Sequence, residues 1–232
     1  LQRPLAPGLI ASLFPAGGSF GEQTIQGAVP LPTELGDIQV LVNDRPAPLF
    51  FVSPGQINFF VPTDIPTSGA VELQVMRPST GQVLAASSVT VAPVAPALFT
   101  LTQNGSGQIA ALNEDNTVNG PSNPISRGRV IQLFGTGQGL VHNAPPDGNT
   151  HDQQSPVRGH TRVIINAQEV PASNIEYSGL APRLIGVWQI NVRIPTEVPP
   201  GDAISVLIIQ DDIPSNDPSN PSRIRSTIAV KQ

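Results

Sequence analysis

The sequence predicts an all-β fold of two tandem immunoglobulin-like antiparallel β-sandwiches, residues 1–93 and 94–232, and three observations lead there. The chain is written nearly twice. Gln56-Ile57-Asn58-Phe59-Phe60-Val61-Pro62-Thr63-Asp64-Ile65-Pro66 returns as Gln189-Ile190-Asn191-Val192-Arg193-Ile194-Pro195-Thr196-Glu197-Val198-Pro199, with Gln, Ile, Asn, Thr and both prolines kept. In the same order, Gly8-Leu9-Ile10-Ala11-Ser12-Leu13-Phe14 resembles Gly128-Arg129-Val130-Ile131-Gln132-Leu133-Phe134. A whole folding unit is therefore duplicated, and a repeat outranks local signals when a fold is read. The apolar residues fall in short β-branched runs without sustained spacing of three and four, which predicts little helix. Finally, 26 prolines and 21 glycines punctuate those runs, as short strands and tight turns require.

The elements follow in order. Residues 37–42 and 161–165 are strands, each followed by a turn, Asn43-Asp44 or Asn166-Ala167. Residues 56–61 and 187–194 come next, each closed by a proline; residues 70–75 match 203–208, and the last strands are 88–91 and 227–230. Ala92-Pro93-Val94-Ala95-Pro96 is the joint, stiffened because proline fixes φ. The second unit has a prelude that the first lacks: residues 108–112, a turn at 113–116, then Thr117-Val118, which reads as a hairpin. The first unit is accordingly expected to be short of one or two strands.

Composition narrows the function classes. The net charge is -5, the charged fraction is 12%, about half the usual share, and the one lysine, Lys231, and the arginines are scattered. Such a surface lacks the electrostatic footprint of a nucleic-acid binder. No apolar run reaches bilayer-spanning length. The absence of cysteine removes the usual disulfide clue without arguing against export. The start at Leu1 reads as a processed product, or as an excised part of a longer secreted protein.

Several segments together resemble one family: residues 133–137 (Leu-Phe-Gly-Thr-Gly), 177–182 (Tyr-Ser-Gly-Leu-Ala-Pro), 186–192 (Gly-Val-Trp-Gln-Ile-Asn-Val), 52–58 and 110–113. These are similar to the C-terminal domain family of secreted acidobacterial (Solibacter-type) proteins. The resemblance covers nearly the whole chain. It implies export, a place at the end of larger surface proteins, and two immunoglobulin-like units related to the IPT/TIG type. It supplies no catalytic residues. Family members usually follow other domains, whereas this chain starts at its own first repeat.

Candidate chemistry is thin. His142, His151 and His160, with Asp147 and Asp152, are metal-ligand types in one polar segment, but their spacing is loose and the surrounding Pro, Gly and Asn read as a solvated loop. Asp211, Asp212 and Asp217, with Asn216 and Asn220, could offer oxygens to calcium, yet the EF-hand spacing is absent. No histidine lies near a plausible serine in a recognisable nucleophile motif. Gly135-Thr136-Gly137-Gln138-Gly139 matches a phosphate loop in glycine content only; its repeat partner is Pro15-Ala16-Gly17-Gly18, so a bulge or strand-end turn explains both. With an aromatic fraction of 4% the chain has few groups for a sugar platform, and Trp188 is expected in packing. Asn104-Gly105-Ser106 is a possible glycosylation site.

The expected function is that of a non-enzymatic extracellular or cell-surface structural or adhesive protein, without metal or cofactor. An incomplete first sandwich would leave a sheet edge open, and a strand from a neighbouring copy could fill it, giving a homo-oligomer or filament. Candidate donor residues are Leu5 and Leu9 near the start, and Ile224, Ile228 and Val230 near the end. The alternative is a module that binds carbohydrate, such as surface glycans, or another partner, at the end of a larger secreted protein.

Overall fold

The computed structural model describes residues 4–21, 23–215 and 226–232. The first unit contains β1 (Ile10–Leu13), β2 (Ile25–Gln26), β3 (Gln39–Val42), β4 (Arg45–Pro46), β5 (Leu49–Ser53), β6 (Gln56–Phe60), β7 (Ala70–Arg77) and β8 (Gln82–Thr90). These form two sheets, β1-β6-β5-β2 and β4-β3-β7-β8. The second unit contains β9 (Ala97–Leu98), β10 (Gly107–Gln108), β11 (Ala111–Leu112), β12 (Ile125–Ser126), β13 (Val130–Thr136), β14 (Ser155–Pro156) and β15 (Thr161–Ile165). It continues with β16 (Gln168–Glu169), β17 (Ile175–Leu180), β18 (Trp188–Arg193), β19 (Gly201–Gln210), β20 (Ile213–Pro214) and β21 (Ser226–Lys231). One of its sheets runs β11-β13-β18-β17-β14 with β9 beside β13; the other runs β10-β21-β19-β15-β16 with β12 beside β21 and β20 beside β19. The named strands pair antiparallel except β10 and β12, which lie parallel to β21.

The strands form because their apolar residues recur at a period of two. In β7, Val71, Leu73 and Val75 are buried while Ala70 and Glu72 face water. In β15, Thr161, Val163 and Ile165 are buried and the residues between them are half-exposed. Each unit has its own core, one around Ile38, Leu49, Ile57 and Phe59, the other around Leu133, Trp188, Ile190 and Ile208. Burying each such side chain stabilises its sandwich by roughly 1.5–3 kcal/mol.

The duplication holds at the level of single hydrogen bonds. Gly8 N–H donates to Val61 O and Gly128 N–H to Ile194 O; Val61 N–H donates to Leu9 O and Ile194 N–H to Arg129 O. Gln56 Nε2 donates to Asn58 Oδ1 at 2.7 Å, and Gln189 Nε2 to Asn191 Oδ1 at 2.8 Å. Both units carry a register irregularity at the same place, between Leu49 and Phe51 and between Ile175 and Tyr177. Asn43-Asp44 and Asn166-Ala167 all have positive φ, the conformation that a two-residue hairpin turn requires.

Residues 97–124 have no counterpart in the first unit. They return as a hairpin, with Leu112 bridging Val118, and close the edge of the second unit. Ile109 N–H donates to Thr227 O and Arg127 N–H to Lys231 O, on either side of Ala229. The side chain of Asn119 fills the gap: Nδ2 donates to Ala229 O at 3.0 Å, and Ala229 N–H donates to Oδ1 at 2.9 Å. One carboxamide thus does for β21 what a backbone peptide of a neighbouring strand would do. Asn119 and Ala229 are both 0% exposed.

A second polar chain crosses the same core. Trp188 Nε1–H donates to Ser178 Oγ, and Thr161 Oγ1 donates to Gln210 Oε1. The remaining 2.7 Å contact between Ser178 and Thr161 must therefore be donated by Ser178. The relay runs from one sheet to the other, as expected of a buried tryptophan whose N–H needs a partner.

Candidate functional site

A set of specific contacts outside the two cores lies between the units. Ile10 N–H donates to Thr136 Oγ1 at 2.9 Å, and Thr136 Oγ1 donates onward to Gly186 O. Asp147 accepts two bonds from Thr63, one from its N–H at 2.9 Å and one from its hydroxyl at 2.8 Å. Leu31 N–H donates to Gly148 O at 2.8 Å. Beside these, Leu31, Phe60 and Ile185 form a third apolar cluster, with Phe50 against it. A cavity of about 30 Å³, lined in part by Gly8, Phe60, Gln138 and Ile185, remains between the units, room for about one water molecule. Gln138 is 2% exposed, and its Oε1 has no partner among the described residues.

The glycines at 135, 137 and 139 serve this joint. A Cβ on Gly135, Gly137 or Gly139 would lie 2.3, 1.9 or 2.5 Å from the carbonyl oxygen of Ala97, Ala95 or Pro93, respectively. The alternating glycines let the connector lie directly on β13 and its continuation, and Ala95 N–H bonds Gly137 O. Gly17 and Gly18 have nothing within 4 Å of an added Cβ, so connector packing is a cause at the second cluster alone. Gly18, Gly137 and Gly139 share a positive φ after the ends of β1 and β13, as the expected strand-end turns require.

The candidate metal residues are dispersed. Among the described residues no three His, Asp or Glu side chains converge on one point. Asp147 is bound to Thr63, and Asp152 pairs with Arg183 at 3.0 Å. Asp211 accepts the His160 N–H at 2.7 Å, and Asp212 lies 3.7 Å from Arg162. Asp211 and Asp212 both have positive φ and make the turn between β19 and β20. Asn216, Asp217 and Asn220 lie outside the described residues. Both His151 ring nitrogens are buried without a partner among the described residues, and burial lowers the imidazole pKa below its ordinary value against the opposing influence of Asp152. The histidine segment is therefore partly a docking loop rather than a solvated one.

Asn104 sits in an exposed turn, where its Oδ1 accepts bonds from Thr102 Oγ1, Ser106 N–H and Ser106 Oγ.

The donor residues need a correction. Leu5 pairs with Val91 of its own chain, its N–H bonding Thr90 O and its carbonyl accepting Ala92 N–H. Leu9 packs on the first core and accepts the Val61 N–H. Ile228 and Val230, 0% and 3% exposed, lie in β21 between β19 and the covering segments. These four residues are engaged within the chain because each completes its own sandwich; Ile224 lies outside the described residues.

An apolar groove opens on the second unit, lined by Phe99, Leu101, Leu112, Val118, Phe134, Leu184 and Val187 among others, with about 380 Å³ of space. Leu101, Val118 and Leu184 are about half exposed.

Sequence reasoning passed over Asn119, Thr136 and Asp147. An Asn, a Thr and an Asp among many carry no local mark, and their partners lie 110, 126 and 84 residues away in sequence.

Comparison with protein-family models and with curated proteins gives no match. Among solved structures, the chain superposes on the surface glycan-binding protein PbSGBP-B from Prevotella bryantii with a TM-score of 0.30 and 13% identity, over 92% of this chain and 42% of that one. It superposes on the plexin A4 full extracellular region with a TM-score of 0.23 and 12% identity, over 83% of this chain and 23% of that one. The chain thus spans less than half the length of either structure. Superpositions this loose carry no argument about ligand or role.

Proposed function

We propose that this chain is a non-enzymatic structural module that works outside the cell, two sandwiches fixed end to end as a stiff strut. The observation that carries this reading is the joint. Two backbone-anchored side chains, a backbone bond and an apolar cluster hold the units at one angle. Independent binding domains on a flexible tether would have no use for glycines cut to fit the connector. An extracellular place rests on the resemblance to secreted acidobacterial domains. Assembly through a terminal donor strand finds no support in Leu5, Leu9, Ile228 or Val230, so self-association would run through a sheet edge.

Small-angle scattering tests the strut. The intact protein is expected to fit a single fixed arrangement of the units, and Thr63→Ala/Asp147→Ala to need a spread of inter-unit angles. An intact protein that itself needs such a spread overturns the reading. Reproducible substrate turnover by purified protein would overturn its non-enzymatic part.

The partner-binding alternative has one observation in its favour, the apolar groove at Phe99 and Phe134. Its walls offer few polar groups to orient a sugar, so the groove suits an apolar partner surface better than a glycan. Saturable glycan binding lost in Phe134→Ser would reverse that preference.

A further inference from the structure

Two of the eight phenylalanines come together on one face of the first unit. In the sheet β1-β6-β5-β2, Ile57 and Phe59 of β6 point into the core at 0% exposure, so Gln56 and Asn58 point out. Cross-strand partners share a face: Asn58 stands between Ser12 of β1 and Phe51 of β5, with Gln26 of β2 beyond Phe51. The bulge at Phe50 sends that ring to the joint and lets the half-buried Phe51 face outward beside Asn58. On β1, Leu13 packs on the core, and Phe14, next in the alternation, is 67% exposed. Two strand spacings across and two residues along place the Phe14 and Phe51 Cα atoms roughly 12 Å apart, with Asn58 and Gln56 between them. Those amides are held in one orientation: Asn58 Oδ1 accepts Ser12 Oγ–H at 2.8 Å and Gln56 Nε2–H at 2.7 Å. Asn58 Nδ2 and Gln56 Oε1 are left over, a donor beside an acceptor, without a partner among the described residues. The second unit repeats the pattern, with Tyr177 opposite Asn191 and Gln189 bonded to Asn191. There, however, β11 lies along β13, and Gln132, in the place of Ser12, is tied to Asn116 of the prelude.

We infer that this face of the first unit binds a neutral glycan chain with equatorial linkages. Such a chain is a flat ribbon. Its pyranose rings present C–H faces to aromatic rings, and its hydroxyls both donate and accept, as the leftover amide groups do. The separation of Phe14 and Phe51 spans about two linked sugar rings, which sets the hydroxyls between them over Asn58 and Gln56. Small-molecule sites are concave; an open sheet face instead suits an extended chain that meets several side chains at once. Ser12, Phe14, Gln26, Phe51, Gln56 and Asn58 carry no charge, and the chain as a whole carries -5, so a neutral glycan is favoured over an acidic one.

Binding here is independent of the stiffness of the joint, because the face lies beyond Ile10 and Phe60, the residues that abut Gly186. Loss of the site should leave the scattering of the protein unchanged. Titration of the intact protein with cellohexaose or xylohexaose, followed by NMR, is expected to shift the side-chain amide signals of Asn58 and Gln56 saturably. Phe14→Ala removes an exposed ring. Asn58→Asp keeps the acceptor for Ser12 and Gln56 and replaces the outward donor with charge. Each should weaken binding by roughly tenfold or more, while the signals of the core strands stay in place. Undiminished affinity in either variant overturns the inference, as does the absence of a saturable shift with both chains. Tighter binding of the acidic chain hexagalacturonate also overturns it. Binding that is lost in Phe134→Ser and kept in Phe14→Ala would assign the glycan to the groove of the second unit, with the same consequence.

Discussion

Replacing Asn119 by alanine tests the most specific claim about how the second sandwich is closed. The substitution removes the acceptor for Ala229 N–H and the donor to Ala229 O, both at a position sealed from water. It also strips Asn113 Oδ1 and Gln108 Nε2 of bonds at 2.9 Å each. An orphaned buried backbone group costs about 1–3 kcal/mol, and two are orphaned here. Allowing for some relaxation around Gln108, the expected loss is about 3–5 kcal/mol, a large part of the 5–15 kcal/mol that typically holds a domain. Trp188 is the only tryptophan and lies in this core, so urea unfolding followed by its fluorescence reports on the second unit alone. The midpoint should fall sharply while the slope stays the same. Asn119→Asp should be no better, because a carboxylate sets negative charge against Ala229 O and Asn113 Oδ1. A loss below 1 kcal/mol for Asn119→Ala would show that Ala229 has another partner and that the side chain does not act as a surrogate strand.

Other outcomes follow from the same contacts. Ala167, held at φ 62°, is a non-glycine residue in the left-handed region; Ala167→Gly should raise stability by about 1 kcal/mol in thermal unfolding, since the strain relieved slightly exceeds the added chain entropy. Gly137→Ala forces a methyl into the connector carbonyl and should cost several kcal/mol by the same measurement, as overpacking with backbone displacement does. Burial depresses the His151 pKa, so the unfolded chain binds more protons there; stability should be complete above the ordinary value of 6.5 and decline as pH falls through it toward the lower folded value. His151→Leu should flatten that decline in unfolding curves taken between pH 7 and pH 5. Asp37 is held below its ordinary 3.8, first by the Ser79 hydroxyl, then by the Ser79 N–H, with Arg77 adding to them. Its carboxyl titration, followed by NMR, should move up toward 3.8 in Ser79→Ala.

Much of the architecture could be read from residues alone, because strands announce themselves. Period-two apolar runs, paired Asn-led turns and a repeated Gln-x-Asn stripe depend on neighbours one to four residues away. The stripe reappears as the same side-chain bond in both units. The difference between the units was also legible, as the prelude at residues 108–118. Its use was not. The expectation that the first unit borrows a strand from a terminus fails at Leu5, Leu9, Ile228 and Val230, because each already satisfies its own sheet. The glycines at 135, 137 and 139 read as a turn, and only the course of the connector shows them to be a bed for its carbonyls.

By itself, then, the sequence determined the fold class, the duplication and the places where strands stop, since backbone propensity and apolar period are local properties. The tertiary structure decided how the units are locked together and which buried amide stands in for a strand. Those depend on hydrogen bonds between residues 84 to 126 positions apart. A polar side chain shows in sequence that it needs a partner, and only the packed chain shows which partner it meets.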